Sequence, residues 1–485
     1  MTADPQTLER LLEALRHTIG PDQVHIGFNE RVSYCTDYYW VPRALLAHGV
    51  LPTLPDLVVH PANVEEVAAV LRIANAHRIP VVPWGGGSGT QGGALPIHGG
   101  IVLDLKRLDR VLEIDDRSLV VRAQAGILCQ HLEWTLNVHG MTLAHYPASM
   151  HCATLGGCLA CRGSGVLSTK YGKIEDMVLS LQVVLPTGQV VRTPPVRSHA
   201  CGPDLNQLFV GSEGTLGVIT EATLRCDPIP PARLFGGFLF PTLSAGLEAG
   251  REIMVRRLSP AVIRLYDPES TRSVLRRVLG LDAEGAAMIL MFDGDPELAA
   301  LGMRKAKEIC SGAGGEDLGA ELGHHWWEHR FDFYYPTLTF DLPQMFGTTD
   351  TLATFSNIER IYWARKRAME ETFARWHVRY LAHFSHWYPW GAMLYDRFVI
   401  DQPPEDLETA LELHDRIWEV AVHIALAHGG VLNEHHGIGL KLGRFMPLQY
   451  GLAFDVLQAI KSALDPAGIM NPGKQGFGSG MDRDA

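Results

Sequence analysis

The run PWGGGSGTQGG, Pro83 to Gly93, constrains this chain more than any other stretch. It follows an apolar segment that reads as a strand, and Gly85, Gly86, Gly87 and Gly89 crowd its first half. Without a Cβ, successive backbone N–H groups can close on a phosphate and form an anion nest. Gly87, Gly89 and Gly92 satisfy the spacing G-x-G-x-x-G, but the dinucleotide fold that uses this spacing needs a helix to start there. Here ALPIHGG follows, and Pro96 with Gly99 and Gly100 prevents a helix. No Walker lysine accompanies the glycines either. The loop reads as a phosphate loop of neither the Rossmann nor the P-loop kind.

Its surroundings suit a long ligand. DLVVHPANVEEVAAVLRIANAHRIPVV reads as strand, helix and strand, with Asn63 as the helix cap and glutamates in the first turn. IVLDL, VLEID and LVVRAQAG are three short strands, and LSLQVVLPTGQVVRT is a hairpin around Pro-Thr-Gly. HYPASMHCATLGGCLACRGSG (His145 to Gly165) and GSEGTLGVIT (Gly211 to Thr220) are further loops rich in glycine and hydroxyl groups. Three separated loops of this kind could hold an extended dinucleotide between two subdomains.

Boundaries follow from changes of pattern. The prolines Pro228, Pro230 and Pro231 close an α+β half, 1–228. FGGFLFPTLSAGLEAGREIMVRRL, AAMILMFDGD and ELAALGMRKAKEICSGAGG then alternate strand and helix, predicting an antiparallel sheet flanked by helices over 229–425. The remainder, 426–485, holds LNEHHGIGL, a helix AFDVLQAIKSALD and an irregular tail, GFGSGMDRDA.

The formal charge of −12 argues against nucleic acid or anionic membrane as a partner, and no apolar run is long enough to span a bilayer. Eight cysteines scattered over 485 residues suit a reducing cytoplasm, and the lone C-x-x-C of Cys158 and Cys161 reads as two small core side chains.

PWGGGSG, PASMHCATLGG, KYGKIEDMV and SEGTLGVITEATL together resemble the FAD-binding half of the vanillyl-alcohol-oxidase superfamily, the PCMH-type domain. Within it, residues from about 50 to 474 resemble the branch with an FAD-linked oxidase C-terminal domain. That branch includes glycolate and D-lactate dehydrogenases, D-2-hydroxyglutarate dehydrogenase and alkyldihydroxyacetonephosphate synthase. The resemblance implies an α+β fold, a two-subdomain FAD-binding domain with a cap, and FAD as cofactor. It places Pro83, Trp84, Gly85, Gly86, Gly87, Ser88 and Gly89 at the pyrophosphate. Pro147, Ala148, Ser149, Thr154, Gly157, Cys161 and Ser164 would line the flavin, and Glu213, Gly214, Gly217, Val218 and Ile219 the adenine side. Members that bond the flavin covalently through this loop have a histidine where Gly87 or Ser88 stands, so the FAD is expected to be non-covalent.

The cap must then orient a substrate and move a proton. Arg264, in SPAVIRLYD, reads either as a partner of Asp267 or, by the resemblance, as a fixed cation beside the flavin. Arg330, amid aromatics, reads as a stacked arginine or as a clamp on a substrate anion. In YLAHFSHWYPWGAMLY, strand alternation puts His386, Tyr388 and Trp390 on one face and His383 on the other. That leaves one usable histidine where metal-dependent relatives have two, and no metal is expected. Tyr388 aligns with a catalytic tyrosine of the synthase branch.

In LNEHHGIGL, alignment on Gly437-Ile438-Gly439 matches His436 to a histidine shared by both branches, and His435 to a glutamate of the dehydrogenases. An imidazole can accept a proton near neutral pH, so His436 is the expected base, His435 its neighbour and Glu434 open. Trp326, Trp327, Trp387 and Trp390 could crowd the pocket and favour an aromatic substrate. The expected protein is an FAD-dependent oxidoreductase acting on a 2-hydroxy acid or related alcohol, with oxygen or a quinone as electron acceptor, as a homo-oligomer. The alternative is a synthase-like flavoenzyme without net redox.

Overall fold

The computed structural model describes residues 5–333 and 340–478, so most of the C-terminal tail lies outside the described residues. In the first half the strands Leu57–Val59 and Val81–Trp84 are joined by the helix Val64–His77, as the pattern predicts. Asn63 Oδ1 accepts the Glu66 amide at 2.9 Å, and the Glu66 carboxylate accepts the Ala62 amide at 2.7 Å. These bonds satisfy donors that the first helical turn leaves open. Ile101–Asp104 inserts between the two strands, parallel to both, and Val24–His25 pairs antiparallel at the edge.

A second, five-stranded sheet is antiparallel, in the order Val111–Asp115, Val120–Gln124, Val218–Arg225, Val178–Val184, Val190–Arg192. The glycine loop leaves the end of Val81–Trp84 in one sheet, and Ser212–Gly217 leads into Val218 in the other. A ligand lying between the sheets therefore meets both loops.

Beyond the proline-rich segment, an eight-stranded antiparallel sheet forms the cap. Its central strand Ala286–Gly294 shows why AAMILMF is apolar without alternation. Ala286, Met288, Leu290 and Phe292 pack in one core with the helices Leu243–Val255 and Pro296–Gly312. Ala287, Ile289 and Met291 pack in a second core, with Leu155, Leu181 and Ile219 of the FAD-binding half. A strand covered on both faces has no polar side to present.

The chain end returns to the first half. Val81 donates to the Ile469 carbonyl and the Asn471 amide donates to the Val81 carbonyl, both at 2.8 Å, extending the parallel sheet. Lys461, on the helix Ala453–Leu464, donates to the carbonyls of Thr215 at 2.7 Å and Met470 at 2.8 Å and pairs with Asp465. Replacing Lys461 by methionine strips a buried carboxylate of its cation. Chemical denaturation should show a loss of about 3–5 kcal/mol of unfolding free energy, the usual cost of breaking a buried pair.

Candidate active site

A cavity of roughly 560 Å³ opens between the two small sheets and runs under the cap. Every residue expected at the cofactor lines it: Pro83–Gly89, Pro147, Ala148, Ser149, Thr154, Gly157, Cys161, Ser164, Glu213, Gly214 and Gly217–Ile219. The glycines are there for contact. A Cβ on Gly85 would collide with the Thr154 hydroxyl, and one on Gly86 with the Cys152 carbonyl. Among the described residues, no protein group accepts the amides of Gly86, Gly87, Ser88 or Gly89. A row of unanswered amides at the mouth of a strand fits a pyrophosphate.

One expected role changes. The Glu213 carboxylate accepts the amides of Ile438, at 3.3 Å, and Gly439, at 2.9 Å, and the Gln475 amide at 3.0 Å. It grips the Gly437-Ile438-Gly439 turn as well as lining the cavity. This explains both glycines, whose φ angles are +84° and +52°. A Cβ on Gly437 would strike Glu213, and one on Gly439 would strike the Gln91 carbonyl.

The turn holds the two histidines over the cavity. His436 Nδ1 donates to Asp350 Oδ1 at 2.7 Å. Asp350, which the sequence did not single out, sits between the strands Met345–Thr348 and Thr351–Thr354. It also accepts from Asn433 Nδ2 at 2.7 Å and from the Glu434 amide at 2.9 Å. Its position is pinned from behind, because the buried Arg365 donates to the Thr349 carbonyl and pairs with Asp396 at 2.9 Å. Burial alone would raise the Asp350 pKa, but the neighbouring His436 and His435 and these donors bring it down to about 2.

Glu434, left open by the sequence, is the buried hub. Its carboxylate accepts from Tyr388 at 2.7 Å, His386 Nδ1 at 3.0 Å and Ser164 at 3.2 Å, with Lys173 Nζ at 3.4 Å. Burial opposes its charge, but Lys173 and His386 hold its pKa well below the usual carboxylate range. His435 Nδ1 lies 2.8 Å from Glu434 Oε2 without hydrogen-bond geometry. Burial, then the adjacent His436, lowers the His435 pKa to about 4, so its ring is neutral at pH 7.

The structure bears on four expectations about the cap. First, His386 and Tyr388 do share a face and both reach Glu434, but a bulge between Phe384 and Trp387 breaks the alternation. His383 is therefore not remote: it stacks on Tyr395 at 4.6 Å, and Tyr395 meets the ring of His436 at 5.4 Å. Second, the strand's one histidine has further possible ligand groups beside it in space. Asp350, His435 and His436 form one cluster with ligand atoms within 4.8 Å of one another, and His386, Glu434 and His435 form a second. In the second cluster Lys173 already supplies a positive charge to Glu434, so a divalent cation fits there only if that ammonium gives way.

Third, Arg330 is absent from the cavity wall. Its guanidinium stacks on Trp327, 4.0 Å from the ring centroid, and donates to the Trp327 carbonyl. Arg264 does line the cavity, 5.2 Å over the Trp326 ring, while Asp267 instead caps a helix at Ser270. Arg397, which the sequence reading passed over, also lines it. Tyr388 is likewise off the wall, held by Glu434. Fourth, the four tryptophans do not crowd the pocket. Trp326 and Trp387 are core residues, Trp327 carries Arg330, and Trp390 is 53% exposed; Trp40, Trp84 and Trp418 line the cavity instead.

Comparison with known proteins agrees with this architecture. Residues 55–194 match the family described as FAD binding domain, and residues 229–475 match FAD linked oxidases, C-terminal domain. The chain belongs to the FAD-linked oxidases. It binds FAD. Alkyldihydroxyacetonephosphate synthase of Trypanosoma brucei brucei is 29% identical, the match covering 97% of this chain and 81% of that one. A glycolate oxidase subunit of Bacillus subtilis is 28% identical, over 87% of this chain and 89% of that one. A solved alkyldihydroxyacetonephosphate synthase superposes with a TM-score of 0.78 at 28% identity, covering 96% of this chain and 85% of that one. No described helix is long and apolar enough to cross a membrane.

Gly86→Ala should purify with most of its flavin lost, read as the ratio of flavin to protein absorbance. Gly312→Ala, at the exposed end of a cap helix with nothing within 4 Å of the added Cβ, should keep it.

Proposed function

We propose that this flavoprotein is an oxidoreductase that removes a hydride from the carbinol carbon of a 2-hydroxy acid or a related alcohol. The observation that supports this reading is the Asp350–His436 pair at the cavity wall. Asp350 occupies Nδ1, so Nε2 is left with a lone pair to accept the substrate hydroxyl proton. As the O–H bond breaks, its electrons form the carbonyl and the C–H bond leaves as hydride. FAD, when bound, is the hydride acceptor.

The remaining residues would prepare that step. Arg264, with Arg397, supplies positive charge for a substrate carboxylate in a partly buried wall. His435, neutral at pH 7, donates to or orients the reacting oxygen without competing for the proton. Glu434 holds His386 and Tyr388 in place, and Arg330 takes no direct part. The FAD is non-covalent in this reading, since neither Gly87 nor Ser88 carries the imidazole that covalent relatives have there. Oxygen or a quinone as electron acceptor and a cytoplasmic setting belong to the same proposal.

A second reading is exchange of an acyl for an alkyl group on dihydroxyacetone phosphate, without net redox. Similarity to the synthases over nearly the whole chain favours it. Against it, the tyrosine it would need, Tyr388, is bonded to Glu434 and does not reach the cavity wall.

Anaerobic mixing with a panel of 2-hydroxy acids and alcohols tests the choice. Bleaching of the oxidised-flavin band is expected, and loss of an acyl chain from acyl-dihydroxyacetone phosphate with the flavin still oxidised would favour the synthase. His436→Asn should keep FAD and slow reduction by about 10²–10⁴-fold, the usual worth of a general base. Asp350→Asn should slow reduction too, because the amide can no longer hold the Nδ1–H tautomer. Acid precipitation should release the flavin into the supernatant, whereas flavin that stays with the pellet would mean a covalent link.

A further inference from the structure

Among the described residues, two groups of side chains have the composition of a divalent-metal site, and they share His435. The first, Asp350 with His435 and His436, is closed by its own hydrogen bonds. Asp350 Oδ1 accepts from His436 Nδ1 and Asn433 Nδ2, both at 2.7 Å, and Oδ2 accepts the Glu434 amide at 2.9 Å. His436 Nδ1 commits its proton there and has no lone pair for a cation. The second group is better shaped. His386 Nδ1 stands 3.0 Å and His435 Nδ1 2.8 Å from Glu434 Oε2. These separations approach the edge of a zinc tetrahedron, about 3.3 Å for metal–ligand bonds of about 2.0–2.1 Å. His435 is neutral at pH 7, and its Nδ1 has no hydrogen-bond partner. His386 needs only its other tautomer, with the proton on Nε2, to turn Nδ1 into a ligand. Both rings line the cavity, so a cation entering it meets them.

What this group lacks is an uncompensated negative charge. The buried Lys173, at the start of the helix Ile174–Met177, donates from Nζ to the Glu434 carbonyl at 2.6 Å. The same ammonium stands 3.4 Å from Glu434 Oε1. A second carboxylate, Glu175, lies 4.0 Å from it and is paired with Arg162 at 3.2 Å. One ammonium against one carboxylate leaves the group neutral. A divalent cation at Oε2 would share the carboxylate with a fixed positive charge, in a wall where little water screens the repulsion.

We propose that the Lys173 ammonium is a built-in substitute for a divalent cation at His386, Glu434 and His435, so that the site is balanced without metal and stands one substitution from binding zinc. Lys173 comes from the FAD-binding half, His386 from the cap strand Arg379–Tyr388, and Glu434 and His435 from the chain end. Folding itself therefore sets the charge in place. The carboxylate is satisfied before any ion arrives, and the imidazoles stay free of metal.

Calorimetric titration of the holoenzyme with zinc ion, with bound zinc counted after desalting, tests this. The wild type should show no site beyond weak surface binding. Lys173→Leu should hold one zinc per chain, at least about a hundredfold more tightly, and lose it when His386→Ala is added. Lys173→Arg, which keeps the charge, should behave as the wild type, because charge and not space excludes the metal. Should Lys173→Leu fold poorly, zinc in the growth medium should restore soluble, FAD-loaded protein by returning the positive charge that Glu434 has lost. One zinc in the wild type that His386→Ala abolishes would overturn the proposal. So would a Lys173→Leu protein that neither gains zinc nor is rescued by it, or an equal gain in Lys173→Arg. A chelator should leave flavin reduction by 2-hydroxy acids unchanged, and bleaching that the chelator abolishes would also overturn it. That arm alone rests on the hydride-abstraction reading. If no hydroxy acid bleaches the flavin, that reading falls and the zinc titration still decides the role of Lys173.

Discussion

The carboxylate of Glu434 is the charge around which the molecule is assembled. It is buried, and an isolated buried carboxylate costs several kcal/mol before any partner is counted. Its partners come from distant parts of the chain: Ser164 and Lys173 from the FAD-binding half, His386 and Tyr388 from the cap hairpin. Each partner that withdrew would leave that charge less compensated. The cap and the FAD-binding half are therefore held at one separation, and the cavity between them keeps its width.

Two further contacts transmit that order to the two histidines at the cavity wall. Glu213 takes the amides of Ile438 and Gly439, which ties the histidine turn to the loop at the other wall of the cavity. Asp350 takes His436, Asn433 and the Glu434 amide, and is itself fixed through Thr349 by Arg365. An imidazole whose ring is set by a carboxylate, on a turn set by another, loses little entropy when a ligand arrives. The two glycines of the turn follow from this crowding, because neither position has room for a side chain.

Much was legible without coordinates where the signal was local. The glycine loop, the Asn63 cap, the Pro-Thr-Gly hairpin and the failure of a helix after Gly93 follow from residue geometry alone. The pairing of His386 with Tyr388 on one strand face was legible for the same reason. His383 was misplaced because a bulge adds one residue at Ser385–His386, and a period of two cannot survive that insertion. Arg330 stayed between two readings because stacking on Trp327 and clamping an anion look alike in sequence, and the structure shows the stack. Asp350 could not be found: it lies 86 residues from His436, in a two-residue link between strands with no pattern of its own.

By itself the sequence determined the kinds of element, the glycine-lined cradle and the histidines that face it, since backbone freedom and hydrophobic period are properties of neighbouring residues. Only the tertiary structure decided which acid serves which histidine, and that Lys173 neutralises Glu434. Those outcomes depend on distances between segments far apart in the chain. Electrostatic energy falls with distance in space and is blind to separation in sequence.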